Sequence, residues 1–202
     1  RQAIKISSIT AIGATATISS GCSANEFSFN HGVASGDPLE DRVILWTRVT
    51  PSKPGPLNVI LEISQNENFS DIAFVKKLQT SSLSDYTIKY DFLANNYCDG
   101  HKGFFYRFRA GDAISEVGQS KIFSSETQKI KIGIFSCSNY PAGYFNAYEA
   151  AAEKNDLDLW LHLGDYLYEY PMGGYATDNA QKLGRTPNPS HEMISLSDYR
   201  QR

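Results

Sequence analysis

From Phe104 to Ala110, large apolar and charged side chains alternate. Phe104, Tyr106 and Phe108 face one way and Arg107 and Arg109 the other, the period of two of a strand with one buried face. A chain that repeats this pattern has to pair its strands into sheets and cover one face of each. Residues 42–49, 57–64, 73–79, 86–93 and 117–124 share the strand composition, and Pro51, Pro54, Gly55 and Pro56 break the chain after the first of them. Six or seven such strands in about a hundred residues predict an all-β immunoglobulin/fibronectin-like sandwich over 27–126. The content of 12 Tyr and 11 Phe, with only 20% charged residues, excludes a disordered chain.

Within this region, 31–38 reads His-Gly-Val-Ala-Ser-Gly-Asp-Pro. It either places His31 and Asp37 beside a site, or its Gly and Asp-Pro residues shape turns. The formal net charge of −3 gives no basic field for a polyanion, so a nucleic-acid-binding role has no electrostatic support. The three cysteines, Cys22, Cys98 and Cys137, fit neither a disulfide framework nor a C-x-x-C zinc pattern. Cys98 lies in a polar loop with no evident partner.

The first 24 residues read as an address. Arg1 and Lys5 precede an uncharged stretch from Ile6 to Ser20, the basic-then-apolar layout of an export signal, too short and too rich in Ser and Thr to span a bilayer. With one further Arg ahead of Arg1, the start would resemble a twin-arginine signal read by the export machinery. Gly21-Cys22 resembles a lipoprotein cleavage box, which would make Cys22 a lipid anchor at the membrane surface. The alternative is a cysteine in a discarded signal. A start at Arg1 and an end just after Ser197-Asp198-Tyr199-Arg200, which reads as the start of a helix, are the ends expected of a fragment.

Residues 130–202 carry a different pattern. Apolar, β-branched 130–136 and apolar 158–163 flank 143–154, where Tyr144, Ala147, Tyr148 and Ala151 recur at helical spacing. Strand, helix, strand with these connections predicts two parallel strands joined by a right-handed crossover. Ligands collect at the carboxyl ends of such strands. The first ends at Ser136-Cys137-Ser138 and the second at Gly164-Asp165-Tyr166-Leu167-Tyr168, on one edge, so neighbouring strands about 5 Å apart would let Cys137 and Asp165 reach one metal ion. Taken singly, Cys137 also reads as an inert small hydrophobe, Asp165 as a helix cap and a nearby Tyr as packing. Their conjunction is what points to chemistry. His162, inside a strand, reads as a hydrogen-bonded supporting residue rather than a ligand.

Residues 29–38 (FNHGVASGDP) and 42–48 (RVILWTR), then 135–140 (FSCSNY) and 161–170 (LHLGDYLYEY), occur in the order found in PhoD-type alkaline phosphatases, whose opening and first two metal motifs they resemble. The resemblance runs from about Phe27 to Arg202. It implies a calcineurin-like metallophosphoesterase domain, begun at 130, behind the β-sandwich. It further implies Fe(III) and Ca(II) cofactors, and hydrolysis of phosphate mono- or diesters outside the cytoplasm for phosphate acquisition. Carried over residue by residue, Cys137 would be a thiolate ligand of the iron, Asp165 a carboxylate bridging iron and calcium, and Tyr168 a phenolate ligand of the iron. The chemistry is consistent, since a trivalent ion holds thiol and phenol deprotonated and oxygen donors suit calcium.

The family's downstream Asn, Asp and His ligands would lie beyond Arg202, and with them the identity of the attacking oxygen. His191, in a polar loop with Pro187 and Pro189, does not fit the missing motif. This segment alone is therefore expected to be inactive. A second hypothesis is a non-catalytic cell-surface module whose sandwich holds a glycan or protein. Asn, Asp and His ligands after Arg202 would separate the two.

Overall fold

The structure, a computed structural model, describes residues 26–94, 97, 103–154 and 156–202. The export segment with Cys22, and Cys98, lie outside the described residues. The chain divides into two compact units, Arg1–Ser125 and Glu126–Arg202.

In the first unit the described strands are β1 (Phe27–Ser28), β2 (Val33–Gly36), β3 (Arg42–Arg48), β4 (Thr50–Pro51), β5 (Leu57–Ser64), β6 (Ile72–Thr80), β7 (Thr87–Leu93), β8 (Phe104–Ala110), β9 (Ala113–Ile114) and β10 (Gly118–Ser120). They form a three-stranded sheet ordered β2-β3-β7 and a larger one ordered β10-β8-β5-β6, with β9 on β8 and a short β1-β4 ladder. All pairs are antiparallel. Val43, Leu45, Ile88 and Phe92 from one sheet meet Val59, Leu61, Ile63, Phe104, Tyr106 and Phe108 from the other in a single core. This is the sandwich that the alternation predicts.

The polar face of β8 is also ordered. Arg107 Nε and Arg109 Nη1 donate to the Glu62 carboxylate of β5 at 2.7 and 3.1 Å. Arg107 also lies 4.1 Å from the Phe69 ring centroid. Glu62 is 4% exposed, so its burial depends on both arginines.

Several details of the first unit differ from the sequence reading, the short strands β1, β4 and β9 among them. The strand expected over 117–124 spans only Gly118–Ser120. Residues 33–36 form β2, with Val33 opposite Thr47 and Gly36 opposite Ile44. Its backbone is recruited by the edge of β3, which requires no side-chain alternation.

In the second unit β11 (Ile132–Phe135) and β12 (Leu159–His162) are parallel neighbours, with Ile132 opposite Leu159 and Phe135 opposite His162. The connection carries α1 (Asn146–Lys154). The helix starts three residues later than its apolar spacing suggests: a separate turn at Tyr140–Ala142 ends at Gly143, whose backbone is fully extended (φ 174°). Tyr144 falls outside it, donating its hydroxyl to the Leu183 carbonyl at 3.1 Å. The Arg185 guanidinium lies 3.9 Å from the Tyr140 ring centroid and 4.8 Å from that of Phe145, holding this turn from the other side. A short helix, α2 (Leu196–Gln201), opens with a capping box between Ser195 and Asp198.

Candidate metal centre

Beyond their last paired residues, β11 and β12 stay joined. Leu163 N–H donates to Phe135 O at 2.8 Å, Cys137 N–H to Gly164 O at 3.1 Å and Ser138 N–H to Asp165 O at 2.8 Å. The two loops therefore leave the sheet side by side, and at matching points both turn sharply. Cys137 has φ 62°, Gly164 φ 126° and Asp165 φ 51°. Two non-glycine residues in the left-handed region, one on each strand end, mark a locally strained corner of the kind concentrated at functional sites.

The turns bring the side chains together. Cys137 Sγ lies 3.8 Å from Asp165 Oδ2, and the Tyr168 hydroxyl donates to the same oxygen at 3.0 Å. All three residues singled out from sequence thus meet at the carboxyl edge of the sheet. Cys137 is a free, exposed cysteine in this chain. Among the described residues no three His, Cys, Asp or Glu side chains converge. The third side chain here is a phenol, that of Tyr168.

The electrostatics suit a cation. The Tyr168 phenol is held well above its ordinary value, first by its hydrogen bond with Cys137, then by lost hydration, then by the Asp165 carboxylate. A cation bound beside the Tyr168 phenol would act in the opposite sense, favouring the phenolate. A thiolate, a carboxylate and a phenolate fit a trivalent iron, and the carboxylate oxygens fit calcium.

Other side chains of the second unit support these residues, among them His162, which the sequence reading has as a hydrogen-bonded supporting residue. Tyr168 is flanked by Tyr170 and Tyr175, with ring centroids 6.4 and 6.0 Å away. Arg202 donates to the Tyr168 carbonyl at 2.8 Å and to the Pro189 carbonyl at 2.9 Å. Tyr199 OH donates to Glu169 Oε1 at 2.9 Å. His191 pairs with Asp198 at 3.3 Å, within the support of α2. His162 Nε2 lies 3.0 Å from Ser138 Oγ and 2.9 Å from Tyr148 OH, while Gly164 N–H donates to Nδ1 at 3.3 Å. Spacing alone could flag Tyr148 only as a packing residue, because its hydroxyl partners come from other elements.

Comparison with known proteins gives this geometry a family. The PhoD-like phosphatase N-terminal domain matches residues 14–124 and the PhoD-like phosphatase domain matches residues 132–202; the chain belongs to the PhoD-like phosphatase family. It is similar to alkaline phosphatase D of Bacillus subtilis (strain 168), with 36% identity over 193 residues, covering 88% of this chain and 31% of that protein. The solved structure of PhoD superimposes with a TM-score of 0.71 and 34% identity, over 85% of this chain and 33% of that one. The chain thus spans about a third of the length of these relatives.

Proposed function

We propose that the protein carrying this chain is an exported, metal-dependent hydrolase of phosphate mono- or diesters, using Fe(III) and Ca(II) held in part by Cys137, Asp165 and Tyr168. The observation that carries the reading is the meeting of those three side chains where two parallel strands end, in a chain of the PhoD-like phosphatase family. Further Asn, Asp and His ligands would follow Arg202, so this segment contributes one wall of the site. The cofactors would supply Lewis-acid polarisation of the phosphoryl group and neutralise its developing charge.

The chain's own residues provide a rigid donor set. Cys137 and Asp165 are fixed by left-handed turns and by the backbone bonds between their loops. Tyr168 is fixed by Arg202 at its carbonyl and by its hydroxyl on Asp165. Pre-placed donors lose little freedom when they bind. Asp165, with two oxygens, is the residue able to bridge two ions.

The test is hydrolysis of p-nitrophenyl phosphate and bis-p-nitrophenyl phosphate at alkaline pH by the whole protein. Turnover of at least one ester is expected, and calcium chelation should abolish it. Activity that survives exhaustive chelation removes calcium from the proposal, and no turnover of either ester favours the binding-module alternative.

A further inference from the structure

We infer that His162 is a positioning residue that sets the separation of the Cys137 and Asp165 side chains, acting through Ser138 on one loop and Gly164 on the other. The inference rests on the metal reading of this corner and assigns His162 no direct contact with metal or substrate. Ser138 directly follows Cys137, and Gly164 directly precedes Asp165. One imidazole ring therefore touches the neighbour of each proposed ligand.

The roles of the two ring nitrogens follow from their partners. Nδ1 receives the Gly164 N–H, so it presents its lone pair and Nε2 carries the hydrogen. Nε2 then donates to Ser138 or Tyr148, and those two hydroxyls are themselves hydrogen-bonded to each other. Both nitrogens are engaged, which leaves no lone pair for a metal ion.

The ring is also held in orientation. Tyr148 stacks on it at 6.5 Å and 22°, and Tyr166 meets its edge at 5.2 Å and 80°. Tyr148 packs on Phe135 at 4.9 Å and on Phe145 at 5.7 Å, so β11, α1 and the end of β12 all converge on His162. The loops themselves are joined without it, by the Cys137-to-Gly164 and Ser138-to-Asp165 backbone bonds. Loss of the ring should therefore leave the fold in place and loosen the spacing of the donors.

The experiment compares the whole protein with its His162→Leu, His162→Gln and Ser138→Ala variants. Iron affinity is measured by chelator competition, alongside the visible charge-transfer band and the unfolding midpoint. The unmodified protein should bind iron and be coloured. His162→Leu should bind iron about tenfold or more weakly, the usual scale for groups that orient metal ligands, with a shifted band. His162→Gln, which keeps a donor near the Nε2 position, should recover part of the loss at an unchanged unfolding midpoint. Ser138→Ala should weaken iron in the same direction, and it decides the matter if His162→Leu does not fold. Unchanged affinity and band in the folded His162→Leu or Ser138→Ala protein overturns the positioning role while leaving the metal reading intact. An unmodified protein that takes up no iron overturns the metal reading, and this inference with it.

Discussion

Cys137 is the residue that most sharply tests the proposed centre. Its thiol is exposed, its backbone is left-handed and its sulfur lies 3.8 Å from Asp165 Oδ2. None of these serves packing. In the proposed centre a serine in its place nearly keeps the volume but offers a hard hydroxyl that does not ionise at neutral pH. Cys137→Ser in the whole protein should hold iron less tightly and lose about tenfold or more in turnover, with the visible band altered. Iron content, spectrum and rate measured side by side check this. A mutant as coloured and as active as the parent would exclude the thiolate role.

Among the elements, β8 and β10 show how closely the sandwich is packed. Tyr106 is 2% exposed, and Gly118 lies opposite it in the ladder. An added Cβ at Gly118 would fall inside the van der Waals envelope of the Tyr106 ring. The ring has little freedom to move, because Phe104 and Phe108 flank it with centroids 6.3 and 6.1 Å away. Gly118→Ala should therefore destabilise the first unit by about 1–3 kcal/mol, the range for overpacked cores. Denaturant unfolding followed by tyrosine fluorescence or far-ultraviolet circular dichroism measures it. A variant as stable as the parent would mean that the edge strand β10 shifts outward to make room.

At the scale of the whole molecule, the sandwich and the strand-helix-strand unit are each compact. The proposed centre uses one edge of the second. The export reading rests on residues 1–24, where two basic residues precede an uncharged stretch and Gly21-Cys22. Fused to a folded reporter with an Arg placed ahead of Arg1, this segment should carry the reporter out of the cytoplasm. Fractionation of cells expressing the fusion gives the answer, and a reporter retained in the cytoplasm would refute export by this segment.

What the sequence determined by itself was whatever has a local period. The half-buried strand β8 writes its burial into alternate residues, so its position and inward face were legible, whereas β3 was legible as a strand by composition. The crossover rule carried this further, putting Cys137 and Asp165 on one edge before any distance was known. Only the tertiary structure decided features that depend on remote backbone. Strand β2 exists because β3 offers an edge, and the turn ahead of α1 is braced by Arg185 from forty-odd residues away. The left-handed turns at Cys137 and Asp165, the Tyr168 hydroxyl on Asp165 and the His162, Ser138 and Tyr148 hydrogen bonds are of the same kind. Their directional contacts form between residues that sequence spacing does not relate, and they exist only once the strands are in register.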